Sequence, residues 1–391
     1  MNASSTTKFT PVILISAAVA ALTLGFADFS IGQRSISRLA ALPQTVLDPA
    51  DNPSTPAKIE LGRLLFWDPI LSGHEDVACA TCHHPDFGYA ENLDISIGVN
   101  GVGLGATRRF DSPNDIPFVQ RNSQTILNTA FNGIDSQGHF DPATAPMFWD
   151  VRAEGLEAQA LLPIITFEEM RGHAMSEEDA IDVVLSRLRA IPEYAALFTN
   201  AFGGDHAVNS DNLGKALAAF QRTLIATNAP FDRYMRGDST AMTRLQIEGM
   251  RQFERIGCVE CHNGPMFSDY KLHVLGVPDN TKLPESDRGF DQTYAFRTAS
   301  LRNLAYTAPY MHSGVFRDLD DVLDFYDDGR RRRRNSTVDR DQLDPLLRRL
   351  RDVDDEEREL IAFLGALNDD DFDRTIPAAV PSGLHPGGRI E

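Results

Sequence analysis

Two short stretches hold all four cysteines of the chain: Cys79-Ala80-Thr81-Cys82-His83 and Cys258-Val259-Glu260-Cys261-His262. Each has the C-x-x-C-H spacing that attaches a c-type haem. Two sulfurs add to the haem vinyl groups, and the adjacent histidine is placed to bind the iron from one side. A single C-x-x-C pair would equally suit a redox dithiol or half of a zinc site. The terminal histidine in both stretches, with no cysteine left over, points to two covalently bound haem c groups. The chemistry then turns on the opposite face of each iron. An electron-transfer haem is closed by a second protein ligand. A haem that reduces hydrogen peroxide leaves that face open and needs a nearby group to move a proton between the two peroxide oxygens.

The surrounding chain must position these groups. Its 391 residues suffice for two modest domains plus tails. A hydrophobic content of 42% and a charged content of 24% are ordinary for a soluble globular protein. The formal charge of −19 argues against nucleic acid and against an anionic membrane surface. It suits a redox partner with a basic docking face. Residues 1–27 contain an apolar run led by Lys8, with a small-residue site near Gly25-Phe26-Ala27. This reads as a secretory signal or, if uncleaved, a membrane anchor. Either way the body is expected outside the cytoplasm, in the periplasm.

Residues 28–57, with Pro43, Pro49, Pro53 and Pro56, read as an extended lead-in. Residues 58–172 are assigned to a first haem domain and 173–370 to a second. A helix is predicted over 60–66, and the Gly-, Asn-, Asp- and Pro-rich stretch 85–120 reads as long loops around a cofactor. Helical patterns follow at 155–162, 211–227, 242–256, 319–326 and 354–367, with one over 176–190 opened by a Ser-Glu-Glu-Asp cap. No alternating strand pattern stands out. Residues 371–391, acidic and then Pro- and Gly-rich, read as a disordered tail.

Between the two motifs lie Phe148-Trp149-Asp150-Val151-Arg152-Ala153, then Gln159, Pro163 and Phe167-Glu168-Glu169-Met170. Together with LGRLLFWDPILSG, RNSQTILNTAFN, FERIGCVECHNGPMFSD, RTASLRNLAYTAPYMHSGVF and DLDDVLDFYDDG, these segments resemble the bacterial di-haem cytochrome c peroxidase family. Within it they resemble the MauG/MbnH-type branch, over most of residues 57–370. The resemblance implies a mainly α fold of two cytochrome-c-like haem domains packed around a shared interface. It implies that Trp149 lies between the haems, that Gln159 and Pro163 border the peroxide pocket, and that Glu169 assists peroxide cleavage. It also implies one calcium ion held by Asn122, Thr307 and Pro309. Singly, each of these reads as well as a core aromatic, a helix carboxylate or a solvated amide; the spacing pattern is what favours function. Glu168 competes with Glu169, and the spacing from Trp149 favours Glu169.

Two positions depart from the reductively activated members of the family. In those, a histidine after a Ser-Ile-Gly segment caps the first haem; here Ser96-Ile97-Gly98 is followed by Val99, which cannot bind iron. The first haem is therefore expected to be open. His74 and His84 read as surface or propionate partners. At the second haem, Tyr326 falls where those members place an axial methionine and the MauG branch a tyrosine. Met311 is a rival thioether. A thioether raises the potential, whereas a phenolate favours the oxidised iron. His273 and His312 read as propionate or loop partners. Arg330 to Arg334 form either a docking patch for an acidic partner or a solvated loop. The expected reaction is reduction of hydrogen peroxide to water coupled to oxidation of a protein partner through the second haem. Alternatives are a peroxidase fed by a small cytochrome or cupredoxin, and a non-enzymatic di-haem electron carrier. The surface tryptophan that MauG has two residues before its second motif is Ile256 here.

Overall fold

The computed structural model describes Met1 and residues 38–329, 335–350 and 353–391. The apolar amino-terminal segment and the Arg330–Arg334 run lie outside the described residues. No described helix is long and apolar enough to cross a membrane. Eleven helices are described: α1 (Pro56–Trp67), α2 (Cys79–Cys82), α3 (Leu156–Gln159), α4 (Leu162–Ile165), α5 (Ala180–Ala190), α6 (Pro192–Phe202), α7 (Ser210–Gln221), α8 (Pro230–Met235), α9 (Arg244–Ile256), α10 (Leu319–Gly329) and α11 (Glu357–Gly365). Strand structure among the described residues is limited to three two-residue antiparallel ladders.

Local chemistry sets the helix ends. Thr55 accepts from the Lys58 N–H and Pro56 supplies the first residue of α1. Thr243 and Gln246 close a reciprocal cap on α9. The expected cap at Ser176 forms: its hydroxyl accepts from the Asp179 N–H and donates to the Asp179 carboxylate, across the turn that leads into α5 at Ala180. Helices α6 and α8, each opened by a proline at its first residue, went unread in the sequence.

Two large hydrophobic cores form. The first gathers Leu61, Leu65, Phe66 and Trp67 of α1 with Val184, Leu188, Phe198, Leu217 and Phe220. The second gathers Phe231, Phe253, Ile256, Leu360, Phe363 and Leu364, joined by Leu39 from the lead-in. In each, a glycine lets two helices close. A Cβ on Gly62 of α1 would lie 2.0 Å from the Ala216 carbonyl of α7, and one on Gly249 of α9 would lie 1.8 Å from the Glu359 carbonyl of α11.

These cores correct two expectations. Helices α5 to α7 pack into the first core, so a boundary at residue 172 cuts through it; the packing divides between Ala226 and Phe231. The division depends on contacts between distant segments, which periodicity does not report. The tail, expected to be disordered, is ordered against the first core. Ser382 donates to Asp68, Thr81 donates to the Gly387 carbonyl, and Gly387 donates its N–H to the Trp67 carbonyl. Its Pro and Gly residues make turns whose backbone groups find partners, so low hydrophobicity does not leave it free. Residues Arg38–Glu391 form one compact unit.

Candidate active site

Both cysteine motifs open onto one continuous cavity of about 660 Å³. Helix α2 carries Cys79 and Cys82, and a tight turn at Cys258–Glu260 carries the second pair. All four thiols are free, and burial pushes Cys79 and Cys258 up to about 12. The next residue in each motif is a half-buried histidine. His83 donates Nδ1–H to the Tyr89 carbonyl at 3.1 Å, and His262 donates Nδ1–H to the Phe267 carbonyl at 2.9 Å. That fixes the tautomer and leaves Nε2 as the ligating atom. Desolvation lowers both imidazoles below their ordinary value, which favours the neutral, metal-binding form.

The wall at the first motif is built from α3, α4 and the single wide turn Phe167–Arg171. Gln159 ends α3, Pro163 lies in the first turn of α4, and Glu168 and Glu169 stand on the wide turn; all four line the cavity. Burial raises Glu169 to about 7; Arg152 pulls the other way and Glu168 adds to the rise. Gly98 permits the approach of the neighbouring loop, since a Cβ there would lie 2.2 Å from the carbonyls of Glu168 and Glu169. Val99 is fully buried, donates its N–H to the Glu169 carbonyl at 3.0 Å and packs in the first core. Arg108 pins this loop from below through the carbonyls of Ile97 and Gly98. His74 is exposed, and His84 is buried against Trp67 and Phe87; neither lines the cavity.

On the same cavity wall, Trp149 donates Nε1–H to the Asn122 carbonyl at 3.0 Å and sits edge-on to His312, with ring centroids 6.3 Å apart. His312 stacks on Phe296 at 3.6 Å, and burial lowers it to about 4, so it is neutral. Asn122 uses Nδ2 to hold the Leu93 carbonyl at 3.0 Å, which leaves Oδ1 without a donor among the described residues. Asn122, Thr307 and Pro309 share the cavity wall.

At the second motif, Tyr326 comes from α10. It lines the cavity, and its hydroxyl makes no hydrogen bond to another described residue. Burial raises its phenol, and the sulfurs of Cys261 and Cys258 add to the rise, which places the ring near the motif. Met311 lines the cavity too and packs in the same small cluster as Tyr326. His273 is clamped between Asp344 at 2.5 Å and Asp269 at 3.2 Å and raised to about 11 by those carboxylates and Cys261, Asp269 first. Of the cluster Cys261, Asp269 and His273, the sulfur of Cys261 is the one that haem attachment takes.

Residues 56–240 match a family model described as di-haem cytochrome c peroxidase. The chain is 34% identical over 379 residues to the methylamine utilization protein MauG of Methylorubrum extorquens, covering 94% of this chain and 95% of that one. The chain belongs to the di-haem cytochrome c peroxidase family. It is 35% identical over 293 residues to the cytochrome c551 peroxidase of Pseudomonas aeruginosa, covering 72% and 75% of the two chains. A solved MauG-like protein associated with microbial copper homeostasis has the same fold, with a TM-score of 0.67 at 24% identity over 84% of this chain and 95% of that one.

Membership of the di-haem peroxidase family makes the chain a peroxidase-type oxidoreductase with two haem c groups, and the electron-carrier reading falls away. The cavity fits two haems: it presents two pairs of free thiols, two neutral histidines with Nε2 available, and a buried guanidinium, Arg297. Arg297 holds the Phe148 carbonyl with Nε and Gln124 Oε1 with Nη2, and its Nη1 suits a propionate. Arg152, which lines the cavity beside Glu169, was not singled out in the sequence. Its place in the FWDVRA segment was the signal available.

Proposed function

We propose that this di-haem peroxidase is an exported, periplasmic enzyme of MauG type that reduces hydrogen peroxide to water while a protein partner is oxidised through the second haem. Bound through Cys79 and Cys82, the first haem would supply an iron that takes electrons into the O–O bond. Glu169 accepts the proton from the peroxide oxygen nearer the metal and returns it to the leaving oxygen. Gln159 orients the peroxide, Pro163 shapes the pocket without offering a competing donor, and Arg152 offsets the negative charge that develops. Trp149 relays electrons between the two sites along the Asn122–His312 contact. Reducing one peroxide takes two electrons and two protons and yields two waters. His262 and Tyr326 would hold the iron of the second haem, and a phenolate ligand would favour its oxidised state. Asn122 Oδ1 and the carbonyls of Thr307 and Pro309 would supply hard oxygen ligands to a calcium ion that fixes the two sites relative to each other.

The observation that carries this reading is the half-buried Tyr326 phenol, which lines the cavity and makes no hydrogen bond to another described residue. The resemblance puts Val99 where the reductively activated members have a capping histidine, and a valine offers no ligand, which supports it. The test is stoichiometric peroxide added to the diferric holoprotein. A long-lived oxidised optical spectrum without prior reduction is expected; reaction only after half-reduction would overturn the MauG-type reading. The second reading is a peroxidase fed by a small cytochrome or cupredoxin. It is favoured by the comparable identity to the cytochrome c551 peroxidase, and half-reduction dependence is its signature.

A further inference from the structure

The first core contains an aromatic path that the peroxide chemistry above does not use. Phe66 lines the haem cavity. Its ring meets Tyr89 at 6.3 Å, Tyr89 meets Phe372 at 6.2 Å, and Phe372 meets Tyr306 at 5.7 Å between centroids. Tyr89 is also tied to the first site through its backbone, since its carbonyl accepts from Nδ1 of His83. The path ends near solvent: Tyr306 is half-buried, and its hydroxyl donates to the carboxylate of Asp370.

We propose that Tyr306 is a surface redox site wired to the first haem, a one-electron exit distinct from the Trp149 route toward the second. The proposal rests on the reading that the first site reduces peroxide. The two tyrosines on the path differ in what receives their proton. A phenol gives up an electron at neutral pH only if its proton leaves with it. The Tyr89 hydroxyl donates to a backbone carbonyl, that of Asp373, at 2.7 Å, and a carbonyl cannot hold a proton. Tyr89 is therefore a bridge. Tyr306 faces a carboxylate, which can. The Arg374 guanidinium lies 5.4 Å from the Tyr306 ring and 4.1 Å from the Phe372 ring. A cation there opposes positive charge on the rings, so the oxidised ring is stable only as the neutral radical.

The step balances. Once peroxide has been reduced at the first site, Tyr306 returns one electron to that oxidised site, its O–H bond breaks, and the phenolic proton passes to Asp370. Tyr306 is left as a neutral radical where a one-electron donor too large for the cavity can reduce it. Ile256, two residues before the second motif, is buried in the second core and offers no redox-active side chain there.

The test is freeze-quench electron paramagnetic resonance on the full holoprotein after stoichiometric peroxide, with the optical spectrum recorded in parallel. A tyrosyl signal that narrows when the protein carries ring-deuterated tyrosine is expected. It should be lost in Tyr306→Phe and in Asp370→Asn, while the optical reaction with peroxide is unchanged in both. An optical reaction with no tyrosyl signal, or the same signal in Tyr306→Phe, would overturn the relay while leaving the peroxidase reading intact. A haem that does not respond to peroxide at all would overturn both.

Discussion

A carboxyl that carries a proton between two oxygens works best with a pKa near the working pH. Glu169 meets that condition through burial, which raises it to about 7 against the opposing pull of Arg152. As a base it must be ionised to accept the first proton. The rate of reaction with peroxide should therefore fall as pH drops below about 7 and level off above it. Stopped-flow rates across that range check the sign. Glu169→Gln keeps the shape and removes the base, and should slow the reaction by about 10²–10⁴-fold. An unchanged rate would move the proton-transfer role elsewhere, with Glu168 the nearest candidate. The identity of Glu169 was legible in the sequence through its distance from Trp149. Its raised pKa was not, because that is a property of burial, and Arg152 went unnoticed because its charge acts through space.

At the scale of elements, the same device recurs in both cores: a glycine at a helix crossing brings one backbone against the carbonyl of another helix. Gly249→Ala forces Cβ into the Glu359 carbonyl and should destabilise the protein by about 1–3 kcal/mol through overpacking. Thermal unfolding of the holoprotein checks this, with a lowered midpoint expected. The helices with strong three- and four-residue periodicity, α7, α9 and α11, were legible to within a few residues. Helix α6 was not, although Tyr194 and Phe198 on it are fully buried and Pro192 at its first residue is a start signal, because only Ile191 separates it from α5. The loops of residues 85–120 were legible as loops from composition alone. What composition could not supply was their anchoring, which Arg108 provides by gathering the carbonyls of Ile97, Gly98 and Gly103.

At the scale of the whole molecule, the chain crosses between its two cores more often than a linear division allows. The lead-in joins the second core through Leu39 before α1 enters the first, and the tail returns from α11 to the first haem motif. Long-range contacts of this kind leave no local pattern, so the tail read as disorder and the boundary fell too early. The site itself was far more legible than the packing, because haem attachment and its flanking residues are written as short motifs. Between the two sites, the calcium proposal predicts that metal analysis of the purified holoprotein finds a calcium ion per chain. Asn122→Ala, which removes the Oδ1 donor, should lose that ion; full retention would exclude this ligand set.

The proposed function depends on an asymmetry between the two haem sites, the first open because Val99 cannot bind iron and the second closed by Tyr326. Low-temperature electron paramagnetic resonance of the resting diferric holoprotein tests it most directly. The expected spectrum contains one high-spin and one low-spin ferric site, with the low-spin signal alone shifting in Tyr326→Met. Two low-spin sites in the resting protein, or a low-spin signal indifferent to Tyr326→Met, would contradict it.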